Sequence, residues 1–270
     1  MINTWLISGD IHGSLTRLDA LKDYEPGTAA IIILGDVGFN YAANSQDNYL
    51  KNRANSYKNY IYCVRGNHEI RPEDVPTMEK FWDENVAGMV YYEPEYPYIR
   101  YFIDGYCYDT CGYRTLVIGG AYSVDKFYRL ATNKKWFSNE QLSKDEMDFI
   151  FNLYKNDNFD IVLSHTCPLD WQPTDLFLDC VDQNKVDNSM EVWMNRLKDS
   201  IGYNLWLFGH YHNNRAVRPH VEMLFTNVYF LENVFNRWNS KEETEFPPQL
   251  KIDKNFRVYD NVWIEKEMDK

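Results

Sequence analysis

The chain has 270 residues, of which 44% are hydrophobic and 25% are charged, and its formal net charge is −12. This composition is typical of a folded globular protein and excludes an intrinsically disordered chain. The acidic excess argues against partners such as long duplex nucleic acid or an anionic membrane surface. No linker, repeat or low-complexity block interrupts the sequence. We therefore expect a single domain over residues 1–270, with a motif-bearing core at 1–220 and C-terminal strands at 221–270.

The cysteine content and the hydropathy of the chain predict the compartment in which the protein is found. The five cysteines are an odd number without a CxxC pair, which favours free thiols over a disulfide framework or a cysteine-bound zinc ion. The longest apolar run, residues 29–34, is far too short to span a bilayer, and no export signal precedes it. We expect a cytoplasmic protein without a membrane partner.

The first 64 residues alternate between predicted strands and helices. Apolar runs at residues 4–8, 29–34 and 60–64 predict buried strands. Leu15, Leu18 and Leu21 share one face of a predicted helix that Ser14 caps, and residues 44–59 predict a second helix. This alternation is typical of an α/β sheet whose faces are both covered.

The remainder of the chain predicts further strands at residues 115–118, 160–164 and 204–208. A short helix is expected around residues 78–85, and the turn Asp104-Gly105 predicts a hairpin between strands 98–103 and 106–110. Helices are predicted at 139–155 and 190–201. After residue 220, short aromatic runs at 223–225, 228–231 and 256–259 could add antiparallel strands to a second sheet.

The helix predicted at residues 139–155 carries two alternative capping boxes, Ser138 with Gln141 and Ser143 with Glu146. Its expected buried stripe consists of Leu142, Phe149, Ile150 and Leu153.

Five predicted strands end in polar residues. Because the carboxyl ends of parallel strands meet at one edge of a sheet, we expect these residues to converge. Six histidines are present in the chain, and only His220 lies outside these strand ends. Oxygen and imidazole groups in this number would suffice for two metal ions. The polar residues are Asp10 with His12, Asp36, Asn67 with His68, His165, and His210 with His212.

In this order, the motifs Gly9-Asp10-Ile11-His12-Gly13, Gly35-Asp36, Gly66-Asn67-His68-Glu69, His165 and Gly209-His210-Tyr211-His212 resemble those of the calcineurin-like metallophosphoesterases. The resemblance implies a four-layer α/β/β/α sandwich with two mixed β-sheets and a metal site at the carboxyl ends of the strands. It also implies that Asp36 bridges two ions and that His68 lies beside the reacting phosphate without binding metal. The implied ligands are Asp10, His12, Asp36 and His212 for one ion, and Asp36, Asn67, His165 and His210 for the other.

The chemistry that follows is hydrolysis of a phosphate mono- or diester by a metal-bridging hydroxide, with His68 and Asp36 as catalytic residues. Oxygen and imidazole ligands without thiolate favour manganese as the two divalent ions, with iron or zinc as alternatives. The expected substrate is a phosphorylated small molecule, a nucleotide or a phosphoprotein. Two other functions stay open. One is a nuclease that acts on single-stranded nucleic acid, and the other is a non-catalytic metal-binding scaffold for a protein partner.

The second motif departs from one branch of this family. The string Arg65-Gly66-Asn67-His68-Glu69 resembles the serine/threonine phosphatases and the similar bacteriophage enzymes, whose second motif reads Gly-Asp-x-x-Asp-Arg. Here Phe39 stands in place of the second aspartate, and Asn40 in place of the phosphate-binding arginine. Another group must then orient His68 and bind the phosphate. The candidates are Asn67, Arg71, Asp125, Lys126 and Arg129.

Overall fold

Two mixed β-sheets with flanking helices form the fold. The structure is a computed structural model, and it describes residues 1–239. In spatial order the first sheet contains β13 (Tyr229–Phe230), β1 (Thr4–Ser8), β2 (Ala29–Ile33), β3 (Tyr60–Cys63), β6 (Ile99–Phe102), β5 (Gly88–Tyr92) and β4 (Glu79–Asp83). The second sheet contains β11 (Arg215–Arg218), β12 (Val221–Met223), β10 (Gly202–Phe208), β9 (Asn158–Ser164), β8 (Tyr113–Ile118) and β7 (Cys107–Thr110).

Each sheet has four parallel strands at its centre and antiparallel strands at its edges. The central strand β2 is buried along its whole length, as its uninterrupted apolar sequence predicts. Successive residues of this strand contribute to two different hydrophobic clusters, with Ile31 and Ile33 in one and Ile32 in the other. The strand therefore has packed layers on both faces.

Three hydrophobic clusters lie between neighbouring layers of helices and sheets. One lies between the sheets and joins Ile32 of β2 to Leu163 of β9. The second packs helices α3 and α4 on the outer face of the second sheet, and the third packs α1 and the 3-10 segment Leu15–Asp23 on the first. Three clusters are what a four-layer arrangement requires. The helices are α1 (Ser45–Asn55), α2 (Lys126–Ala131), α3 (Lys144–Tyr154), α4 (Ser189–Lys198) and α5 (Leu231–Asn239).

Two predicted helix ends are fixed by side-chain caps. Asn44 accepts hydrogen bonds from the backbone N–H groups of Gln46 and Asp47 at the start of α1. At the start of α3 the capping box is Ser143 with Glu146, which decides between the two predicted alternatives. None of the helices in residues 1–239 is long and apolar enough to cross a membrane.

Two local predictions between residues 78 and 110 are wrong. The predicted helix at 78–85 is β4, which pairs antiparallel with β5, so tertiary pairing overrides the local pattern. Asp104-Gly105 does form a turn, but β6 before it belongs to the first sheet and β7 after it to the second. The turn therefore connects the two sheets instead of closing a hairpin.

Two further predictions are corrected, one for the buried face of α3 and one for the strands after residue 220. In α3 the buried residues include Ile150 and Phe151, whereas Phe149 and Leu153 are exposed by 66% and 53%. Strand β12 pairs parallel with β10 and antiparallel with β11 in the second sheet, while β13 joins the first sheet beside β1. The predicted strand at 256–259 lies outside the described residues.

Arg65 fastens the loop after β3 to loops of the second sheet. Its Nε donates to Asp104 Oδ2 at 2.7 Å, and its Nη1 and Nη2 donate to the carbonyl oxygens of Glu140 and Gly119 at 2.6 and 3.2 Å. Arg65 is only 3% exposed. Its charge is therefore neutralised and its donors are satisfied inside the protein.

We expect the substitution Arg65→Met to lower the free energy of unfolding by about 3–5 kcal/mol, because it leaves the largely buried Asp104 carboxylate without its cation. Urea denaturation followed by circular dichroism measures this loss. Arg53→Met, at an exposed position of α1, is the matched control and should change stability by less than about 0.5 kcal/mol. Equal stability of the two variants would contradict the assignment.

Candidate metal centre

The structure brings the seven predicted metal ligands and His68 together at the edge where strands of both sheets end. The first sheet contributes the residues after β1, β2 and β3, and the second sheet contributes those after β9 and β10. In chain order these are Asp10 and His12, Asp36, Asn67 and His68, His165, and His210 and His212. The convergence that the sequence predicts at this edge is present.

Four of these residues have left-handed backbone conformations. The φ angles are 44° at His12, 44° at Asp36, 67° at His210 and 51° at His212. Such conformations cost a non-glycine residue about 1–3 kcal/mol each, and they gather at functional sites. The His12 N–H donates to the Asp36 carbonyl at 2.8 Å, so two of these strained loops hold each other in place.

Two glycines allow the loops to approach the carboxylates. A Cβ atom on Gly66 would lie 2.0 Å from Asp36 Oδ1, and one on Gly209 would lie 2.3 Å from Asp10 Oδ1. Any side chain at either position would displace a carboxylate from the cluster.

Asp10, His12 and His212 form the first group of candidate ligands. The Nε2 atoms of the two histidines lie 2.8 Å apart. Asp10 Oδ2 lies 3.3 Å from His212 Nε2 and 3.9 Å from His12 Nε2. This carboxylate oxygen is buried and has no hydrogen-bond donor among the described residues. An unsatisfied buried oxygen beside two imidazole nitrogens fits a cation site.

The second group surrounds His165. Its Nδ1 must donate to the Leu34 carbonyl at 2.7 Å, because a carbonyl only accepts, and in the neutral ring Nε2 then carries a lone pair. This Nε2 faces Asn67 Oδ1 at 2.8 Å and Asp36 Oδ2 at 3.8 Å. Two acceptors in contact without a proton between them repel each other, and a cation between them would remove that repulsion. His210 stands beside His165, with 5.0 Å between the ring centroids.

Burial and neighbouring charges set the protonation of the cluster. Burial lowers the pKa of His12 to about 3 and holds that of His210 well below its ordinary value, so both rings are neutral near pH 7. Burial, followed by the charge of Asp10, raises the pKa of Asp36 to about 8. Burial alone would raise the pKa of Asp10, but His165 and the other nearby histidines lower it well below its ordinary value. Two carboxyl groups this close cannot both stay charged cheaply without a cation.

Two triads of candidate ligands have atoms within 4.8 Å of one another, Asp10 with His12 and His212, and Asp10 with Asp36 and His165. Asp10 belongs to both triads, whereas the resemblance implies that Asp36 is the shared ligand. Asp36 belongs to the second triad only.

Comparison with known families now adds to this geometry. The family model described as calcineurin-like phosphoesterase matches residues 4–214, which include every candidate ligand. The chain belongs to the calcineurin-like phosphoesterase family. No curated protein matches the sequence. Members of this family are phosphoesterase hydrolases that use divalent metal ions, so the chain is a metal-dependent phosphoesterase.

A hydrogen-bonded chain that the sequence did not reveal orients Asn67 in this phosphoesterase. Ser123 Oγ donates to Glu140 Oε2 at 2.5 Å, so it accepts from Asn67 Nδ2 at 2.8 Å. The amide is thereby turned with Oδ1 toward His165. Glu140 is 3% exposed and also accepts from the Ser123 N–H, so it holds both the backbone and the hydroxyl of this serine. Outer contacts of this kind hold metal ligands in their binding geometry.

Glu69 braces two motif loops. Its carboxylate accepts from the Gly38 N–H at 2.9 Å and from the Gly66 N–H at 3.1 Å. It therefore joins the loop that carries Asp36 to the loop that carries Asn67. Glu69 belongs to the third motif, but its sequence position alone assigns it no role.

Tyr41 is a second residue that the sequence did not single out. Its Oη lies 2.7 Å from His12 Nδ1, and its ring stands edge-on to the His68 ring with 6.2 Å between centroids. If His12 Nε2 faces the cation, Nδ1 carries the proton and donates to Tyr41 Oη. Tyr41 thus contacts one candidate ligand and packs against the candidate catalytic histidine.

The structure also shows how His68 is positioned without an acidic partner at residue 39. Phe39 is buried in the hydrophobic core, and Asn40 accepts from Lys51 Nζ at 3.3 Å. The His68 N–H donates to Asp36 Oδ1 at 3.0 Å, and its Nε2 lies 3.8 Å from Asp36 Oδ2. Asp36, the ring of Tyr41 and the Asn67 amide, whose Nδ2 lies 3.4 Å from both ring nitrogens, are therefore neighbours that position His68.

The predicted substrate-contacting residues separate into two groups. Arg129, which pairs with Asp125 at 2.7 Å, lies close enough for its charge to lower the pKa of His68. Lys126 lies on the same helix, with its Nζ 4.2 Å from the Trp136 ring centroid. Arg71 lies outside the cluster, because its buried guanidinium binds Glu146 and the carbonyls of Asn139 and Gln141. These contacts indicate a structural role for Arg71 instead of the predicted substrate contact.

We expect Ser123→Ala to weaken Mn²⁺ binding by about 10- to 100-fold, because the Asn67 amide loses the acceptor that orients it. Calorimetric titration of metal-free protein with Mn²⁺ measures the change. Ser123→Thr retains the hydroxyl and should bind nearly as tightly as the unchanged protein, and Ser200→Ala, after α4, is the control for loss of a serine elsewhere. Undiminished affinity in Ser123→Ala would contradict the role.

Proposed function

We propose that the chain hydrolyses a phosphate mono- or diester with two divalent ions, manganese being the preferred metal and iron or zinc the alternatives. Asp10, His12, Asp36 and His212 would hold one ion, and Asp36, Asn67, His165 and His210 the other. The observation that carries this proposal is the convergence of carboxylate, amide and imidazole atoms, above all the buried Asp10 Oδ2 beside His12 and His212 and the contact between His165 Nε2 and Asn67 Oδ1. When bound, such ions supply a water of lowered pKa and positive charge for the phosphoryl oxygens.

His68 is the proposed proton donor. Burial, followed by the charge of Arg129, holds its pKa well below the ordinary value, so the ring is neutral and carries one N–H. In the neutral form this N–H can donate a hydrogen bond to a phosphoryl oxygen. A dianionic phosphate beside the ring would favour the imidazolium form, which can pass its proton to the departing alkoxide and return to the neutral ring. Asp36 holds the histidine backbone while its second oxygen faces the metal cluster.

Arg129 is the proposed phosphate-binding cation. Asn40 cannot fill that role, since it is buried and accepts from Lys51. Arg129 follows Ser123, which bonds to the candidate ligand Asn67, in the same segment, and this supports a position of its charge near the cluster. Lys126, one turn earlier on α2, would add a second cation.

The substrate we propose is a phosphorylated small molecule, a nucleotide or a phosphoprotein, and long duplex nucleic acid is disfavoured by the net charge of −12. All five cysteines are free thiols, which supports our further proposal of a reducing compartment such as the cytoplasm. A scaffold without catalysis would not need the complete ligand set, and each of the seven predicted ligands is retained.

We expect metal-free protein to be inactive on an aryl phosphate ester and to regain activity with Mn²⁺. In the reconstituted enzyme, His68→Asn should lower kcat by about 10²- to 10⁴-fold while two ions stay bound, because it removes a proton donor but no ligand. Asp36→Asn should instead lose bound metal. Turnover assays and elemental analysis of the same samples separate the two outcomes.

His220→Asn is the matched control, because this histidine bonds to the Asn204 carbonyl away from the cluster. It should retain both activity and metal. If the unchanged protein bound two ions and hydrolysed neither mono- nor diesters, the proposed function would be wrong.

A further inference from the structure

Residues 124–137 form a basic aromatic segment beside the metal cluster. In an acidic chain, these 14 residues contain Lys126, Arg129, Lys134 and Lys135 against a single acid, Asp125. They also contain four aromatic residues, Phe127, Tyr128, Trp136 and Phe137. The local charge is therefore opposite in sign to the net charge of the chain.

The segment is connected directly to the candidate ligands. Ser123, the residue before it, accepts from the side chain of the candidate ligand Asn67 at 2.8 Å. Within the segment, the Lys126 N–H donates to the Ser123 carbonyl at 3.0 Å, so α2 begins directly after this serine. A ligand bound along the segment would thus reach the cluster.

The helix within the segment, α2, has no buried residue. Phe127 is 60% exposed and Leu130 is 54% exposed, although both are large and apolar. The core does not explain why these side chains are apolar. Exposed apolar side chains next to a functional cluster indicate a surface that contacts a ligand.

Cations and aromatic rings alternate along this surface. Lys126 Nζ lies 4.2 Å from the ring centroid of Trp136 and 6.0 Å from that of Phe127. Lys135 is exposed, and its carbonyl accepts from Arg129 Nη1 at 3.1 Å, which ties the end of the segment back to α2. Cations that follow a phosphate backbone, together with rings on which bases stack, are the combination found in proteins that bind single strands.

We propose that residues 124–137 bind single-stranded nucleic acid and direct one of its phosphodiester groups to the metal cluster. Phe127 would stack on a base, while Lys126 and Lys135 would contact the flanking phosphates. In a single strand every phosphate is flanked by bases, so a base is always within reach of Phe127 when a phosphate is bound. Duplex DNA hides its bases from such a surface, and the net charge of −12 disfavours its dense phosphate array.

This inference rests on the proposed phosphoesterase function and names the substrate class. The reaction consumes one water per cleavage. Its oxygen bonds to phosphorus, the P–O bond to one sugar breaks, and a proton passes to the departing sugar oxygen. The products are two shorter strands, one of which ends in a phosphate monoester.

The test is binding of a fluorescent single-stranded oligonucleotide of about 16 nucleotides to the full, metal-free chain, measured by anisotropy so that no turnover occurs. Phe127→Ala should weaken binding by about 5- to 100-fold, the range for loss of one stacked base. Phe127→Tyr keeps a ring and should bind like the unchanged protein. Phe149→Ala removes an equally exposed ring from α3 and should have no effect on binding.

Salt dependence tests the cations separately. Lys126→Gln and Lys135→Gln should each reduce the slope of log K against log salt by about 0.7, as expected for one lost phosphate contact on a single strand. Lys144→Gln, at an exposed position of α3, should leave the slope unchanged. Melting curves of every variant, and its metal content after reconstitution with Mn²⁺, confirm that the fold and the cluster are intact.

The inference is overturned if the single strand does not bind, if duplex or anionic phosphatidylserine vesicles bind equally well, or if Phe127→Ala and Phe149→Ala behave alike. These results leave the proposed function intact as long as reconstituted protein still hydrolyses an aryl phosphate. Inactivity of the reconstituted protein on every ester would instead reject the proposed function, whatever the binding assay gives.

Discussion

The burial of two carboxyl groups among imidazole rings is the constraint on which the rest of this structure depends. Asp10 is 0% exposed and Asp36 is 1% exposed. Charges buried in this way are costly unless a cation compensates them. The loops must therefore be held by contacts outside the cluster, and such contacts are present for three of the motif loops. The Leu34 carbonyl fixes His165, the Ser123–Glu140 pair fixes Asn67, and Glu69 joins the loops of the second and third motifs.

The same constraint explains the local backbone. Left-handed conformations at four candidate ligands and close approaches at Gly66 and Gly209 reduce stability, and the three hydrophobic clusters of the sandwich must offset that cost. The strained loops follow rigid, buried strands. A central parallel strand such as β2 cannot shift without opening the packed layers on both of its faces, so it holds the loop that follows it in place. Metal binding to the folded state alone would return part of the lost stability.

The apolar runs followed by polar loops were sufficient to locate the buried parallel strands and their ends, and the resemblance of the motifs implied the two sheets. The sequence was insufficient wherever the outcome depended on a distant partner. The aromatic pattern near Phe81 suits a helix or an edge strand until β5 is placed beside it. Tyr41 is one of 21 tyrosines, and Ser123 and Glu140 are 17 residues apart. No local pattern distinguishes these residues, and only the packed loops assign them a position beside His12 and Asn67.

The packing of the protein also explains the residues Phe39 and Asn40 in the second motif. Phe39 packs in the core and Asn40 contacts the buried pair of Lys51 with Glu93, whose charged atoms lie 2.6 Å apart. An arginine at residue 40 would bury a second cation beside Lys51, so this position is unsuited to a phosphate-binding arginine. Arg129 lies on the segment after β8, which belongs to the other sheet, and this segment follows Ser123, which contacts Asn67. We infer that recognition of the substrate lies on this segment, outside the metal-binding motifs. The metal cluster would then determine the type of reaction, and residues 124–137 would determine which phosphate ester undergoes it.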